Sequence, residues 1–497
     1  MKIKQLPILV LATIVIISSC SDFENSGSAP NVSSAFDLNG SGSGVTSEVA
    51  SGEAYNEILE NEFILTADES TSTFSIDADG GAYSNMRRFL NDGEPVPVDV
   101  IRTEELINYF NYDYPEANGN KPIGLEGEVS LCPWNRDHKL IRIGIKGKYI
   151  AEEDYPASNI VFLVDISGSM RAEEKLPLLK EAMQLYVNER LTENDKVAIV
   201  TYASNAGTAL NSTDGDDKEK ILRAIEDLTT NGSTNGEGGI KKAYEIAEDN
   251  FIEGGNNRII MGTDGDFNVG LTAEEDLVEL IEEEREKGIF LTVIGFGKGN
   301  LQEGRMEQIA DHGNGTYEYI DDLNQAEKVF VDEYNKFYPV AKDVKVQINF
   351  NTEHIEAYRL IGYENRVLEN QDFEDDTKDA GEIGANQSIT ALYEIIPVNS
   401  DSRNAAAFSV DFRYKLPDED FSQQIDLDIA DNNVSFSNAS HDHQWAAAVA
   451  SFGLLLRDSD YKGDTSFDDI TEWATRSKSF DPYGYKAEFI DLIKLAE

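Results

Sequence analysis

The chain reads as an α/β protein: a mostly parallel sheet covered by helices, with a smaller α+β region before it and a β-rich region after it. Three observations predict this. Between residues 155 and 338 continuous apolar runs alternate with amphipathic stretches. Segments on either side alternate apolar and polar residues. Hydrophobic residues make up 40% of the 497 residues, enough to fill two or three ordinary cores.

"NIVFLVD", "DKVAIVTYA", "NRIIMGTD" and "IFLTVIGFG" are apolar runs of the length and β-branched content of strands buried on both faces. Between them "LPLLKEAMQLYVNERL", "GGIKKAYEIAEDNFI" and "AEEDLVELIEEEREKG" carry apolar residues at helical spacing, and "NLQEGRMEQIADHG" and "LNQAEKVFVDEYNKF" close the region as helices. In residues 53–150, "SNMRRFLNDG" and "VIRTEELINYFNYD" predict helices, whereas "LEGEVSLCPW" and "KLIRIGIKGK" alternate as half-buried strands do. In residues 339–497, "VKVQINFN" and "AAFSVDFRYKL" predict strands, and "QWAAAVASFGLLLRD" and "AEFIDLIKLAE" predict helices.

The formal net charge is −51. Such a chain repels phosphate backbones, which argues against nucleic-acid binding, and it repels an anionic bilayer unless anchored. Residues 1–20 read as a targeting segment: Lys2 and Lys4, then an apolar run from Leu6 to Ile17, too short for a comfortable span. "ISSC" resembles a bacterial lipobox, which implies cleavage before Cys20 and lipidation of that cysteine. Residues 21–52 are rich in Ser and Gly and read as a flexible linker, reaching roughly 30 Å as a coil. Cys132 would then be the one remaining thiol, so no intrachain disulfide is expected.

Ligands of parallel sheets bind at the carboxyl ends of the strands. There, "DISGS" places Asp165, Ser167 and Ser169 after the first strand; "NGSTNG" places Thr234 in a loop; and "GTDGD" places Asp264 after another strand. Hydroxyls and carboxylates are hard donors suited to Mg²⁺, Mn²⁺ or Ca²⁺, and Gly168, Gly232 and Gly265 let the backbone turn. The five residues resemble the metal-ion-dependent adhesion site (MIDAS) of von Willebrand factor type A (VWA) domains. That resemblance implies a doubly wound sheet. It implies serine hydroxyls on the metal, aspartates acting largely through water, and an electrophilic ion that attracts a carboxylate from a protein partner. "STFSIDADGGAYSNMRRFL", "EELINYFNYDYP" and "CPWN", and later "AYRLIGYENR", "DAGEIGANQSITALYEI" and "LLLRDSDYKGD", resemble the N- and C-terminal accessory regions of a bacterial family of VWA proteins.

Other patterns carry less. "DADG" opens like a calcium loop, but its twelfth position is Arg88. "DSDYKGDTSFDD" sets Asp458, Asp460, Asp464 and Asp469 at loop positions, with Lys462 where an oxygen ligand is needed, so a solvated helix-loop-helix is expected. His441 and His443 share no helical face, and Ser167 and Ser169 lie in no nucleophile elbow. The expected protein is a non-enzymatic, lipid-anchored envelope protein of the outer membrane, on its periplasmic face or the cell surface, binding a protein partner through a divalent cation. The alternatives are a structural or regulatory subunit acting through its accessory regions, and an envelope-polymer hydrolase.

Overall fold

The computed structural model describes residues 46–48 and 52–497, apart from 77–78, 118, 120, 233–235, 266–270, 379, 399–404, 418 and 480. The leader, Cys20 and most of the linker therefore lie outside the described residues, as does Thr234. No helix among the described residues is long and apolar enough to cross a membrane.

The six-stranded central sheet comprises β1 (Ser158–Asp165), β2 (Lys196–Tyr202), β3 (Ala206–Asp214), β4 (Asn256–Thr263), β5 (Ile289–Phe296) and β6 (Tyr317–Ile320), ordered β6-β5-β4-β1-β2-β3. All pairings are parallel except that of β3, which runs antiparallel to β2. Alternation along β1 explains why both faces are covered. Ile160, Phe162 and Val164 share a core with Leu179, Met183 and Tyr186 of the helix Leu176–Glu189. Val161 and Leu163 share another with Ile240, Ala243 and Tyr244 of the helix Gly236–Asp249. The doubly wound, mostly parallel sheet is thus as expected. The run "LNQAEKVFVDEYNKF" forms a short α-helix that passes into π and 3-10 turns, not one continuous helix.

Two antiparallel sheets take strands from both sides of this domain. One is ordered Ile64–Leu65, Ile355–Ile361, Ser388–Pro397, Lys139–Gly147, Ile123–Leu131. The other, six-stranded, is ordered Val367–Leu368, Thr71–Ser75, Pro339–Phe350, Ala405–Lys415, Gln423–Asp431, with Gly381–Gly384 also paired to Pro339–Phe350. Ile141, Ile143, Val346, Phe350 and Tyr393 belong to their common core, with Phe350 stacked on Tyr358 at 4.1 Å between ring centres. The helices His441–Leu456, Phe467–Ser477 and Tyr485–Ala496 pack with Gly81–Asp92 and Thr103–Asn108 around Trp445, Phe110 and Phe489.

The strand Lys139–Gly147 corrects its expectation of half burial, because every residue in it is buried. It pairs on both edges and is covered on both faces: Ile141 and Ile143 lie in the shared core, and on the opposite face Arg142 lies against the Tyr114 ring, 4.7 Å from its centre. Lys139 is accordingly ion-paired with Asp431, and Arg142 with Glu126 and Glu128.

Candidate metal centre

Asp165 ends β1, and Asp264 follows β4, its parallel neighbour, so register alone brings the two carboxylates to one edge. Both are fully buried. Asp165 Oδ1 accepts the Ser167 backbone N–H at 2.8 Å, and its Oδ2 accepts the Thr263 hydroxyl at 3.3 Å. These bonds turn the chain so that Ser167 Oγ and Ser169 Oγ meet at 2.8 Å, and the Ser169 hydroxyl also bonds Asp264. The 231–232 loop is fastened to the same turn: Asn231 N–H donates to Ile166 O at 2.6 Å, and Gly168 N–H to Gly232 O at 3.1 Å. Asp165, Ser167, Ser169 and Asp264 are thus brought together, beside the loop that leads into Thr234.

Gly232 and Gly265 adopt φ of +82° and +89°, where a side chain would be strained. Gly168 does not need that freedom; it sits in a 3-10 turn with room for a Cβ.

Electrostatics divides the two carboxylates. Burial pushes the Asp165 carboxyl up to about 6, and the charge of Asp264 adds to the rise against the Ser167 N–H. Burial would also raise Asp264, but the Lys175 ammonium outweighs it, with Ser169 and Asn300 contributing, and holds that carboxyl below its ordinary range. Lys175 Nζ donates to Asp264 Oδ2 at 2.9 Å and to Asn300 Oδ1 at 2.8 Å.

Lys175 and Asn300 were not among the residues read from sequence. A lysine ahead of a helix carries no signal by its spacing. Asn300 had one available: "GKGN" follows β5, a loop at the same sheet edge.

The donors suit a small hard cation. Two hydroxyls touch each other, two carboxylates flank them, and one carboxylate already holds a cationic group. Among the described residues no three His, Cys, Asp or Glu side chains converge as a metal site, so any ion here would rely on hydroxyl oxygens.

The remaining patterns resolve as structure. Asp469 forms a capping box with Ser466 at the start of Phe467–Ser477, and Lys462 pairs with Asp458. Asp79 accepts the Tyr317 backbone N–H at 2.7 Å. Cys132 is buried. His443 Nε2 meets Ser130 Oγ at 2.9 Å, with Glu128 3.9 Å from Nδ1. This outline of a Ser-His-Glu group is closed to a substrate: Ser130 and His443 are buried, and burial holds the imidazole neutral, its pKa pushed down to about 3.

Comparison with known proteins places the chain. Residues 159–332 match the von Willebrand factor type A domain model, residues 49–142 a model described as von Willebrand factor, and residues 335–497 a model described as the C-terminal part of the uncharacterized protein YfbK. The chain is 40% identical over 469 residues to uncharacterized protein YfbK of Escherichia coli (strain K12), covering 89% of this chain and 81% of that protein. It is 28% identical over 165 residues to human inter-alpha-trypsin inhibitor heavy chain H3, covering 32% and 18%. Among solved structures, a von Willebrand factor type A protein from Catenulispora acidiphila is similar at 16% identity, TM-score 0.44, over 74% of this chain and 89% of that one. The match to YfbK along most of both chains, with its C-terminal model and the VWA model in sequence, shows that this chain belongs to the YfbK family of bacterial VWA-domain proteins with accessory regions on both sides.

Proposed function

We propose that the protein is a cell-envelope lipoprotein that binds a partner protein through a divalent cation held by Asp165, Ser167, Ser169, Thr234 and Asp264. VWA domains mediate protein–protein interaction, and that is the coarse function of the domain matched here. The observation that carries the finer reading is the pairing of two touching serine hydroxyls with two buried carboxylates, one of which binds a cationic group. A Mg²⁺ ion at such a site, contacted by few charged donors, would stay electrophilic and accept a carboxylate from the partner. The hydroxyls of Ser167 and Ser169 would hold the ion directly, and Asp165 and Asp264 would act largely through its bound water. The role in this reading is binding, not catalysis. Cys20 supplies the lipid anchor in the outer membrane. The test is Mg²⁺ titration by calorimetry on the chain beside Asp264→Ala, followed by partner capture with and without chelator. Saturable binding lost in the variant, and capture lost with chelator, are expected. Capture that survives both overturns the reading.

A second reading, contact through the accessory regions, is favoured by one observation. The edge strand Ile64–Leu65 exposes both side chains, and Leu59 nearby is 75% exposed. Capture that fails in Leu65→Lys but persists in Asp264→Ala would select it.

A further inference from the structure

Residues 52–56 lie outside the central sheet, yet they are bonded to the loop 297–302 that follows β5. Ala54 N–H donates to Leu301 O at 2.9 Å, and Ala54 forms a parallel bridge with Gln302. Glu53 is fully buried, and its Oε1 accepts the Gly299 N–H at 2.8 Å. Arg88, on the helix Gly81–Asp92, grips the same carboxylate with two N–H groups at 3.1 and 3.0 Å, and the Tyr55 hydroxyl adds a bond at 2.9 Å. Gly52, at φ +87°, runs so near that a Cβ there would stand 3.0 Å from Gly299 O.

The other side of this loop faces the candidate metal centre. Asn300 Oδ1 accepts from Lys175 Nζ, which is bonded to Asp264. Gly265 packs so closely that a Cβ would stand 2.6 Å from Gln302 N. Gly297 and Gly299 both have positive φ, so little in the loop's own backbone fixes it.

We infer that residues 52–56 are a positioning strap for the metal centre: Glu53 fixes Gly299 and Asn300, and these fix Asp264 through Lys175 and Gly265. The inference rests on the metal-dependent reading above. The anchoring bond is a buried, two-toothed carboxylate–guanidinium pair, costly to open, so the strap holds the loop firmly. The strap is paired antiparallel with residues Thr46–Glu48, at the end of the Ser- and Gly-rich segment.

The test uses the full chain. Mg²⁺ affinity is measured by calorimetry for the unaltered protein, Glu53→Gln, Arg88→Lys and Asp264→Ala, with thermal unfolding as the control for folding. Neither Glu53 nor Arg88 touches the metal residues, yet both strap variants are expected to weaken Mg²⁺ binding on the order of tenfold. Coupling is reciprocal, so Mg²⁺ is also expected to slow amide hydrogen exchange at Ala54 and Gly299 in the unaltered protein and not in Asp264→Ala. Should a strap variant fail to fold, the exchange measurement decides. Unchanged affinity in folded strap variants, or exchange at Ala54 and Gly299 that ignores bound Mg²⁺, overturns the strap while leaving the metal reading intact. Absence of Mg²⁺ binding in the unaltered protein overturns both.

Discussion

Asp165 and Asp264 at the loop end of the central sheet are buried as deeply as Lys139 and Arg142 inside the five-stranded sheet. The two regions nevertheless treat charge differently. Inside the sheet these two cations are paired with carboxylates: Asp431 for Lys139, and Glu126 with Glu128 for Arg142. At the loop end the Lys175 ammonium pairs with Asp264, while Asp165 is held by the Ser167 N–H and the Thr263 hydroxyl, and burial raises its pKa. A buried charge matched within the chain is structural, because removing its partner strands it. A site short of one positive charge has room for an exchangeable cation.

Four experiments break or sharpen that contrast. The largest expected effect is complete: Asp264→Ala abolishes saturable Mg²⁺ binding and the Mg²⁺-dependent rise in unfolding temperature. A variant that still gains stability from Mg²⁺ would place the ion elsewhere. Next, Asp431→Ala leaves the Lys139 ammonium buried without its partner and costs about 3–5 kcal/mol in urea unfolding, with Mg²⁺ affinity unchanged. A loss below about 1 kcal/mol would show that the pair is not structural.

The third concerns Glu303, at the start of the helix Glu303–His312. Burial pushes this carboxyl up to about 8, against the pull of Arg102. Its folded pKa exceeds the ordinary value of 4.5, so its contribution to stability is fully present below that pH and is lost as pH rises through 8. Between those limits stability should fall by about 1.4 kcal/mol per pH unit from this group, and Glu303→Gln should remove that slope. Parallel pH profiles for parent and variant would refute it.

The smallest effect sharpens the comparison most. Lys175→Gln removes the ammonium that links Asn300 to Asp264, so the metal-free protein should unfold at lower temperature and Mg²⁺ should bind more weakly, by less than the roughly tenfold of the strap variants, because loss of a competing cation offsets part of the lost positioning. Tighter Mg²⁺ binding in that variant would mean that Lys175 competes for the site more than it orders it.

Much of the α/β domain was legible in sequence because its signals are local. An apolar run long enough to span a sheet, followed by a turn and an amphipathic stretch, needs no partner to be recognised. The loop "DISGS" declares its chemistry within five residues, and the ends of adjacent parallel strands bring it to Asp264. The full burial of Lys139–Gly147 was not legible. Alternation reports which residues could face water, whereas burial depends on what covers that face, and here the Tyr114 ring covers Arg142 while Glu126 and Glu128 pair with it from the neighbouring strand.

By itself, then, the sequence determined the strand-and-helix rhythm of residues 155–338, the candidate donors Asp165, Ser167, Ser169, Thr234 and Asp264, and the acidic character of the whole chain. Only the tertiary structure decided that Lys175 and Asn300 stand at those donors, that Glu53 and Arg88 brace the loop behind them, and that strands from both ends of the chain share sheets. The physical reason is range. Periodicity and turn chemistry act between neighbours in sequence, whereas ion pairs and strand pairing join residues separated by tens to hundreds of positions, and their partners are set by packing.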